Sequence, residues 1–157
     1  MTSAYKKGLA SEHACISKLI LSNHVPCIPA SGGESYDIAV INDDKIVKIQ
    51  VKSTRSKDYN KYECIICKGR SSKSVYDENE IDYFCVHIVP EDMWFIIPHS
   101  ATKGRKKIRI DPYCPEHEFW QYKEDWTLGV NDPVVIEATD KRQGKRPTRE
   151  KPIWSVQ

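Results

Sequence analysis

The segment from Tyr36 to Thr54, YDIAVINDDKIVKIQVKST, limits the possible folds more than any other part of the chain. Tyr36, Ile38 and Val40 alternate with Asp37, Ala39 and Ile41, and Val47, Ile49 and Val51 alternate with Lys48, Gln50 and Lys52, which is the period of a half-buried strand. Between the two runs stand the turn formers Asn42, Asp43 and Asp44. If Asp43 and Asp44 form a two-residue hairpin loop, Asn42 pairs with Lys45, and continuing that register sets Asp37 opposite Gln50. Directly opposed residues have Cβ atoms about 4.5–5.5 Å apart, and Lys52 projects from the same face as Gln50. The pattern predicts an acid, an amide and an amine gathered on one face of a hairpin whose other face is apolar.

Ala4 to Asn23 reads as a helix, because Leu9, Ile16, Leu19 and Ile20 recur at helical spacing. Glu12 falls on that apolar stripe. A carboxylate there must be paired, lie at the stripe's edge or serve a site. Pro26 and Pro29 bracket a short apolar stretch, and SGGES at Ser31 to Ser35 is a loop. After a polar connection, KYECIICK predicts another strand, and IDYFCVHIV and MWFIIP predict a pair joined through Pro90, Glu91 and Asp92. Pro115 to Leu128 predicts a second helix, with Pro at its start and Phe119, Tyr122 and Trp126 at helical spacing. Beyond Asp140, Gly144, Pro147 and Pro152 punctuate a basic tail that reads as a flexible arm.

A chain of 157 residues has room for one ordinary domain with a real core. With 39% hydrophobic and 29% charged residues it is too apolar for disorder and too polar for a membrane protein. It has no run of about 18 apolar residues, and its first residues lack the apolar core of a secretory signal. The expectation is an intracellular, cytoplasmic protein with no membrane partner. In that compartment the six cysteines are free thiols or metal ligands rather than disulfides. Cys64 and Cys67, and Cys114 and His117, have a zinc-like spacing, yet positions three apart in a strand point to opposite faces, so zinc there would need a turn.

The net charge of +2 hides a clustered distribution. KGRKKIR, from Lys103 to Arg109, has five basic residues and no acid, and Lys141 to Lys151 has six opposed by Glu150 alone. Seven more lie from Lys52 to Lys73, against Asp58 and Glu63. Such clusters are the footprint of a polyanion binder, or alternatively a solvated charged surface.

Taken in order from about Gly8 to Trp126, GLASE, YDIAV, IQVKST, DYFCVHIV, MWFIIP and QYKEDW resemble the PD-(D/E)XK nuclease superfamily. Within it the likeness is to the small group I intron-type homing endonucleases and related endonucleases. The resemblance implies an α/β (α+β) fold with a restriction-endonuclease-like core, a central mixed β-sheet flanked by helices. That domain would span residues 1–130, with 131–157 as a basic C-terminal extension. The implied activity is metal-dependent hydrolysis of phosphodiester bonds in double-stranded DNA, with Mg²⁺ as cofactor and Mn²⁺ as a substitute, in a prokaryotic, phage or viral host setting. One domain carries one site, so cutting a duplex argues for a homodimer or homotetramer.

By the same resemblance Asp37, Gln50 and Lys52 form the catalytic centre with Glu12 in support, and Asp37, Gln50, the Val51 main-chain carbonyl and Glu12 hold the metal. The residue chemistry agrees, because Mg²⁺ takes hard oxygen ligands and Lys52 is a compact charge suited to orient water and stabilise a phosphorane. Gln50 stands where the commonest motif has an acid. Its amide keeps an oxygen but removes a charge, which lowers cation affinity unless Glu12 or Glu34 compensates. Glutamine occurs at this position in the homing relatives. Arg55, Lys57, Lys68, Arg70, Lys103, Arg105, Lys106 and Lys107 are the candidate phosphate contacts. The alternatives are a Holliday junction resolvase-like nuclease, a catalytically silent DNA-binding relative, a zinc-stabilised interaction domain, and a plain surface ion pair between Asp37 and Lys52.

Overall fold

The computed structural model describes residues 3–42, 45–69 and 72–129. The basic tail, the Asp43–Asp44 loop and Arg70 lie outside these described residues. A five-stranded sheet holds β1 (Val25–Cys27), β2 (Ile38–Asn42), β3 (Lys45–Thr54), β6 (Tyr83–Ile88) and β7 (Met93–Pro98), in that spatial order. A second sheet holds β4 (Lys57–Asp58), β5 (Lys61–Ile65) and β8 (Lys107–Ile110). The helix α1 spans Ser3–Leu21. Only the β3–β6 pairing is parallel, so the large sheet is mixed.

The β2–β3 register is the one expected from the turn residues, with Asn42 opposite Lys45 and Ile38 opposite Ile49. Alternation then divides the sheet's side chains between two cores. Ile38, Val40, Ile49 and Val51 join Cys85, Trp94 and Ile96 against Cys15 and Leu19 of α1. On the other face Phe84, Val86, Ile88, Phe95 and Ile97 pack against Tyr62, Cys64, Ile108, Ile110 and Phe119. The large sheet is therefore covered by α1 on one side and by the small sheet on the other. β6 is buried at nearly every position, as its almost unbroken apolar sequence requires of a strand with both faces covered.

Two expectations need correction. The buried face of α1 is Ser11, Cys15 and Leu19, while Ile20 is exposed. The stripe is rotated because Ser11 turns inward to meet the His87 imidazole, Oγ to Nδ1 at 3.0 Å. This rotation puts Glu12 at the edge of the buried face, half-buried. The second correction concerns Pro115 to Leu128, which forms turns and a short 3₁₀ segment, Trp120–Tyr122, instead of an α-helix. Its apolar residues serve different cores: Phe119 and Tyr122 pack with the small-sheet core, Trp126 and Leu128 with the α1 core. One helical face cannot serve both sides of a sheet, so the chain wraps the β7 edge, bridging Phe95 through Lys123. Glu124 fixes this wrap by accepting the Trp94 backbone N–H at 2.8 Å and the Trp126 indole N–H at 2.9 Å.

The strand β8 lies within the basic run. Lys107 and Arg109 point outward while Ile108 and Ile110 are buried, so the alternation was present but masked by charge. The register can be tested within one strand. Ile49 is fully buried and Ile46 is 64% exposed. Chemical denaturation is expected to show Ile49→Ala losing about 2–4 kcal/mol and Ile46→Ala less than about 0.5 kcal/mol. Equal losses at the two positions would contradict the register.

Candidate active site

Asp37 sits at the entrance to β2 and turns its carboxylate toward β3. Its Oδ2 accepts a hydrogen bond from the Val51 N–H at 2.8 Å and from the Gln50 side-chain Nε2 at 2.5 Å. The same Gln50 nitrogen lies 3.3 Å from the Val51 carbonyl oxygen. One amide donor is thus placed between a carboxylate oxygen and a main-chain carbonyl oxygen. The sequence expectation that Asp37 and Gln50 meet across the hairpin holds at the level of side-chain contact.

Burial pushes the Asp37 carboxyl up to about 6 from 3.8, against the lowering effect of the Val51 N–H bond. The nearby Glu12 charge raises it further, while Lys52 and the Gln50 bond draw it down. Glu12, Glu34, Tyr36 and Asp37 line a shallow polar cleft of about 160 Å³. Two carboxylates besides Asp37 therefore border the same space, and a cation there would relieve their repulsion.

Lys52 shares the Gln50 face, but it is held by a partner that sequence spacing did not reveal. Its Nζ donates to the Tyr76 hydroxyl at 3.1 Å and lies 5.2 Å from the Tyr76 ring centroid. Tyr76 is buried and meets Phe84 edge-on at 5.5 Å, so its position is fixed by the core. The only sequence signal was one aromatic residue in the polar stretch SSKSVYDENE. Glu80 was missed as well. It accepts from Ser35 Oγ at 2.9 Å, from the Asp77 N–H at 2.7 Å and from Lys68 at 2.5 Å, tying the loop before Asp37 to the segment before β6. Those bonds hold the Glu80 carboxyl down at about 2.

The remaining sequence candidates divide by environment. Arg105 forms a two-pronged pair with Glu118 at 2.7 and 3.0 Å, Lys107 meets Glu63 at 3.0 Å, and Lys68 meets Glu80. Lys57 lies 3.7 Å from Glu91. Arg55, Lys103 and Lys106 form no ion pair among the described residues. Cys64 and Cys67 are both buried, and burial pushes the Cys64 thiol up to about 12, which disfavours the thiolate that zinc needs. Among the described residues no three His, Cys, Asp or Glu side chains gather as a metal cluster, so the zinc reading of Cys64, Cys67, Cys114 and His117 has no geometric basis.

The same observation means that a cation at Asp37 must draw on neutral oxygens. The donor set fits. The Asp37 carboxylate and the Val51 carbonyl already converge on a single donor, and turning the Gln50 amide end for end would present its Oε1 to that point. These are hard oxygens of the kind Mg²⁺ and Ca²⁺ select.

A family model described as PD-(D/E)XK endonuclease matches residues 2–129. The chain belongs to the PD-(D/E)XK endonuclease family. It is a nuclease-family hydrolase with a restriction-endonuclease-like fold. Among solved structures, the bacterial homing endonuclease I-Ssp6803I superposes with a TM-score of 0.70 at 20% identity, covering 81% of this chain and 93% of that one. The Holliday junction resolvase Hjc of Archaeoglobus fulgidus reaches a TM-score of 0.48 at 16% identity, covering 73% and 88% respectively. No curated protein matches in sequence. Among the described residues no helix is long and apolar enough to cross a membrane.

The raised Asp37 carboxyl has a measurable consequence. Its folded value, about 6, lies above the ordinary 3.8, so the buried charge destabilises the fold fully above pH 6 and not at all below about pH 4. Asp37→Asn is expected to be more stable than wild type at pH 8, by at most about 3 kcal/mol. The gain should vanish as pH falls toward 4 in denaturant titrations without metal. A wild type more stable than the variant at pH 8 would contradict the assignment.

Proposed function

We propose that the protein is a Mg²⁺-dependent endonuclease of homing type that hydrolyses phosphodiester bonds in double-stranded DNA, with Mn²⁺ as a substitute. The observation that carries this reading is the convergence of the Asp37 carboxylate, the Gln50 amide and the Val51 carbonyl, with Lys52 on the same strand face. Asp37, Gln50, the Val51 carbonyl and Glu12 would hold the cation. Bound there, it would polarise the scissile phosphate and acidify an attacking water.

The chain's own residues supply the remainder. Lys52 places a fixed positive charge where the phosphorane develops, and its Nζ orients the water. Tyr76 positions Lys52 through its hydroxyl and ring, which keeps the ammonium from swinging into solvent. Glu12 adds negative charge from α1 that offsets the acid missing at position 50. Arg55, Lys103 and Lys106 are free to meet backbone phosphates. Lys57 and Lys107 could exchange their carboxylate partners for phosphate at small cost, since single exposed pairs are worth only about 0–1 kcal/mol, whereas Lys68 and Arg105 would have to leave the more firmly held Glu80 and Glu118. Phosphate contacts of this kind position the duplex without reading its sequence. Each chain has one such site and a duplex has two strands to cut, so the working form is a homodimer or a homotetramer.

Plasmid and branched DNA incubated with the protein in Mg²⁺ are expected to be cut, and EDTA should stop the reaction. Lys52→Ala should lower the rate at least about 100-fold, and Tyr76→Phe about 10- to 100-fold without loss of fold, as expected when a catalytic group is displaced. A site-specific enzyme needs its target, so the plasmid should carry a library of long random inserts. Cleavage that survives Lys52→Ala would mean that the chemistry lies elsewhere. Binding without cleavage on every substrate would leave a silent DNA-binding relative.

A further inference from the structure

Glu80 stands outside the group formed by Asp37, Gln50 and Lys52, yet its side chain reaches both of the segments that bring that group together. We infer that Glu80 is a positioning residue for phosphodiester cleavage, setting the Asp37 half of the site through Ser35 and the Lys52 half through Tyr76. The inference deepens the nuclease reading above and rests on it.

Glu80 closes a tight turn. The Asp77 carbonyl accepts the Glu80 N–H at 3.0 Å, and the Asp77 carboxylate accepts the Asn79 N–H at 3.0 Å. The Glu80 side chain then folds back over the turn. Its Oε2 accepts the Asp77 N–H at 2.7 Å, its Oε1 accepts from Ser35 Oγ at 2.9 Å, and Lys68 Nζ donates to it at 2.5 Å. An ionised carboxylate suits this junction, because it only accepts and can take donors on both oxygens at once. The bonds hold the Glu80 carboxyl down at about 2, so the junction stays charged through the range near 6 where Asp37 takes up a proton.

Each donor leads to a part of the site. Ser35 lies two residues before Asp37, at the end of the exposed stretch 31–34, where Gly32 and Gly33 have open space beside them. Glycines raise the conformational entropy lost when such a loop is fixed, and the Ser35 bond anchors it just ahead of Asp37. Asp77 follows Tyr76, whose carbonyl accepts from His99 Nε2 at 2.9 Å and whose hydroxyl accepts from Lys52 Nζ at 3.1 Å. Lys68 Nζ is 5.6 Å from the Tyr76 ring centroid, and Lys52 Nζ is 5.2 Å from the same centroid. Two ammonium groups beside one ring repel each other, and the Glu80 charge offsets that of Lys68.

The contacts form a closed circuit. At one end β3 holds Asp37 through the Val51 N–H and Tyr76 through Lys52, the next residue along. At the other end Glu80 joins Ser35 to Asp77. The cation ligands and the Lys52 ammonium are therefore fixed relative to each other from both ends, and a small misplacement of reacting groups costs rate steeply.

The test reads Mn²⁺ affinity by calorimetry on the full-length protein without DNA, and the cleavage rate at saturating Mn²⁺ and DNA on a plasmid that the wild type cuts. Glu80→Ala is expected to weaken Mn²⁺ binding about 10-fold and to lower the saturated rate about 10-fold, the usual cost of removing a group that orients a metal ligand or a catalytic side chain. Ser35→Ala should weaken Mn²⁺ binding too, and Ser35→Ala/Glu80→Ala should bind no more weakly than Glu80→Ala alone, because both remove one linkage. Glu80→Gln keeps an oxygen for Ser35 and should recover part of the affinity. Glu118→Gln, which breaks the pair with Arg105, should leave Mn²⁺ affinity unchanged. Thermal melting records the stability of every variant, and if Glu80→Ala does not fold, Glu80→Gln and Ser35→Ala decide on the same readouts. An unchanged Mn²⁺ affinity or an unchanged saturated rate in Glu80→Ala overturns the proposal, and a lower melting temperature alone would make Glu80 a brace for the fold. Losses in Ser35→Ala and Glu80→Ala that add in the double variant overturn it as well. A wild type that cuts no DNA overturns this inference together with the nuclease reading, whereas a cutting wild type matched by Glu80→Ala overturns this inference alone.

Discussion

The Asp37 carboxylate, held by the Val51 N–H and the Gln50 amide, is the contact on which the candidate site depends. It exists because the β2–β3 register sets Ile38 against Ile49, which leaves Asp37 at the mouth of the hairpin facing Gln50. A slip of one residue would move the acid to the opposite face and send Ile49 out of the core. The apolar face that packs on α1 therefore protects the polar geometry of the other face. Burial of Ile38, Val40, Ile49 and Val51 locks the register, and the register assembles the site.

Much of this was legible in the sequence. Strict alternation on both sides of Asn42–Asp44 was enough to predict the strands, their pairing and the Asp37–Gln50 contact, because the period of a half-buried strand is fixed at two. The helix α1 was legible by spacing, but its rotation was not, since a buried serine paired with a distant histidine leaves no apolar signal. The Pro115–Leu128 segment misled for a related reason. Aromatic spacing reports which residues are apolar without saying which core they enter, and Phe119 and Trp126 enter different ones. Tyr76 and Glu80 escaped notice because both act across long sequence separations in a polar stretch, where neither period nor composition marks them.

The near-neutral total also takes on a different meaning in three dimensions. Five of the basic residues that cluster in sequence, Lys57, Lys68, Arg105, Lys107 and Arg109, are paired with Asp58, Glu63, Glu80, Glu91 or Glu118. Lys6 and Lys7, which no basic run had marked, form no ion pair among the described residues and line a cleft with Arg55. Sequence clustering thus overstates the free positive charge near the small sheet and misses it at the start of α1. An acidic cleft around Asp37 and a separate basic surface around Lys6, Lys7 and Arg55 replace the even distribution that a net charge of +2 suggests.

The central claim is that Asp37, Gln50 and the Val51 carbonyl form a cation site although an amide replaces an acid. Titration of the protein with Mn²⁺, followed by calorimetry in buffers of different ionisation heat, tests it without any DNA. One strong site per chain is expected, with proton release that grows as pH falls toward 6, loss of the site in Asp37→Asn and tighter binding in Gln50→Glu. Binding that is unchanged by Asp37→Asn, or weakened by Gln50→Glu, would contradict it.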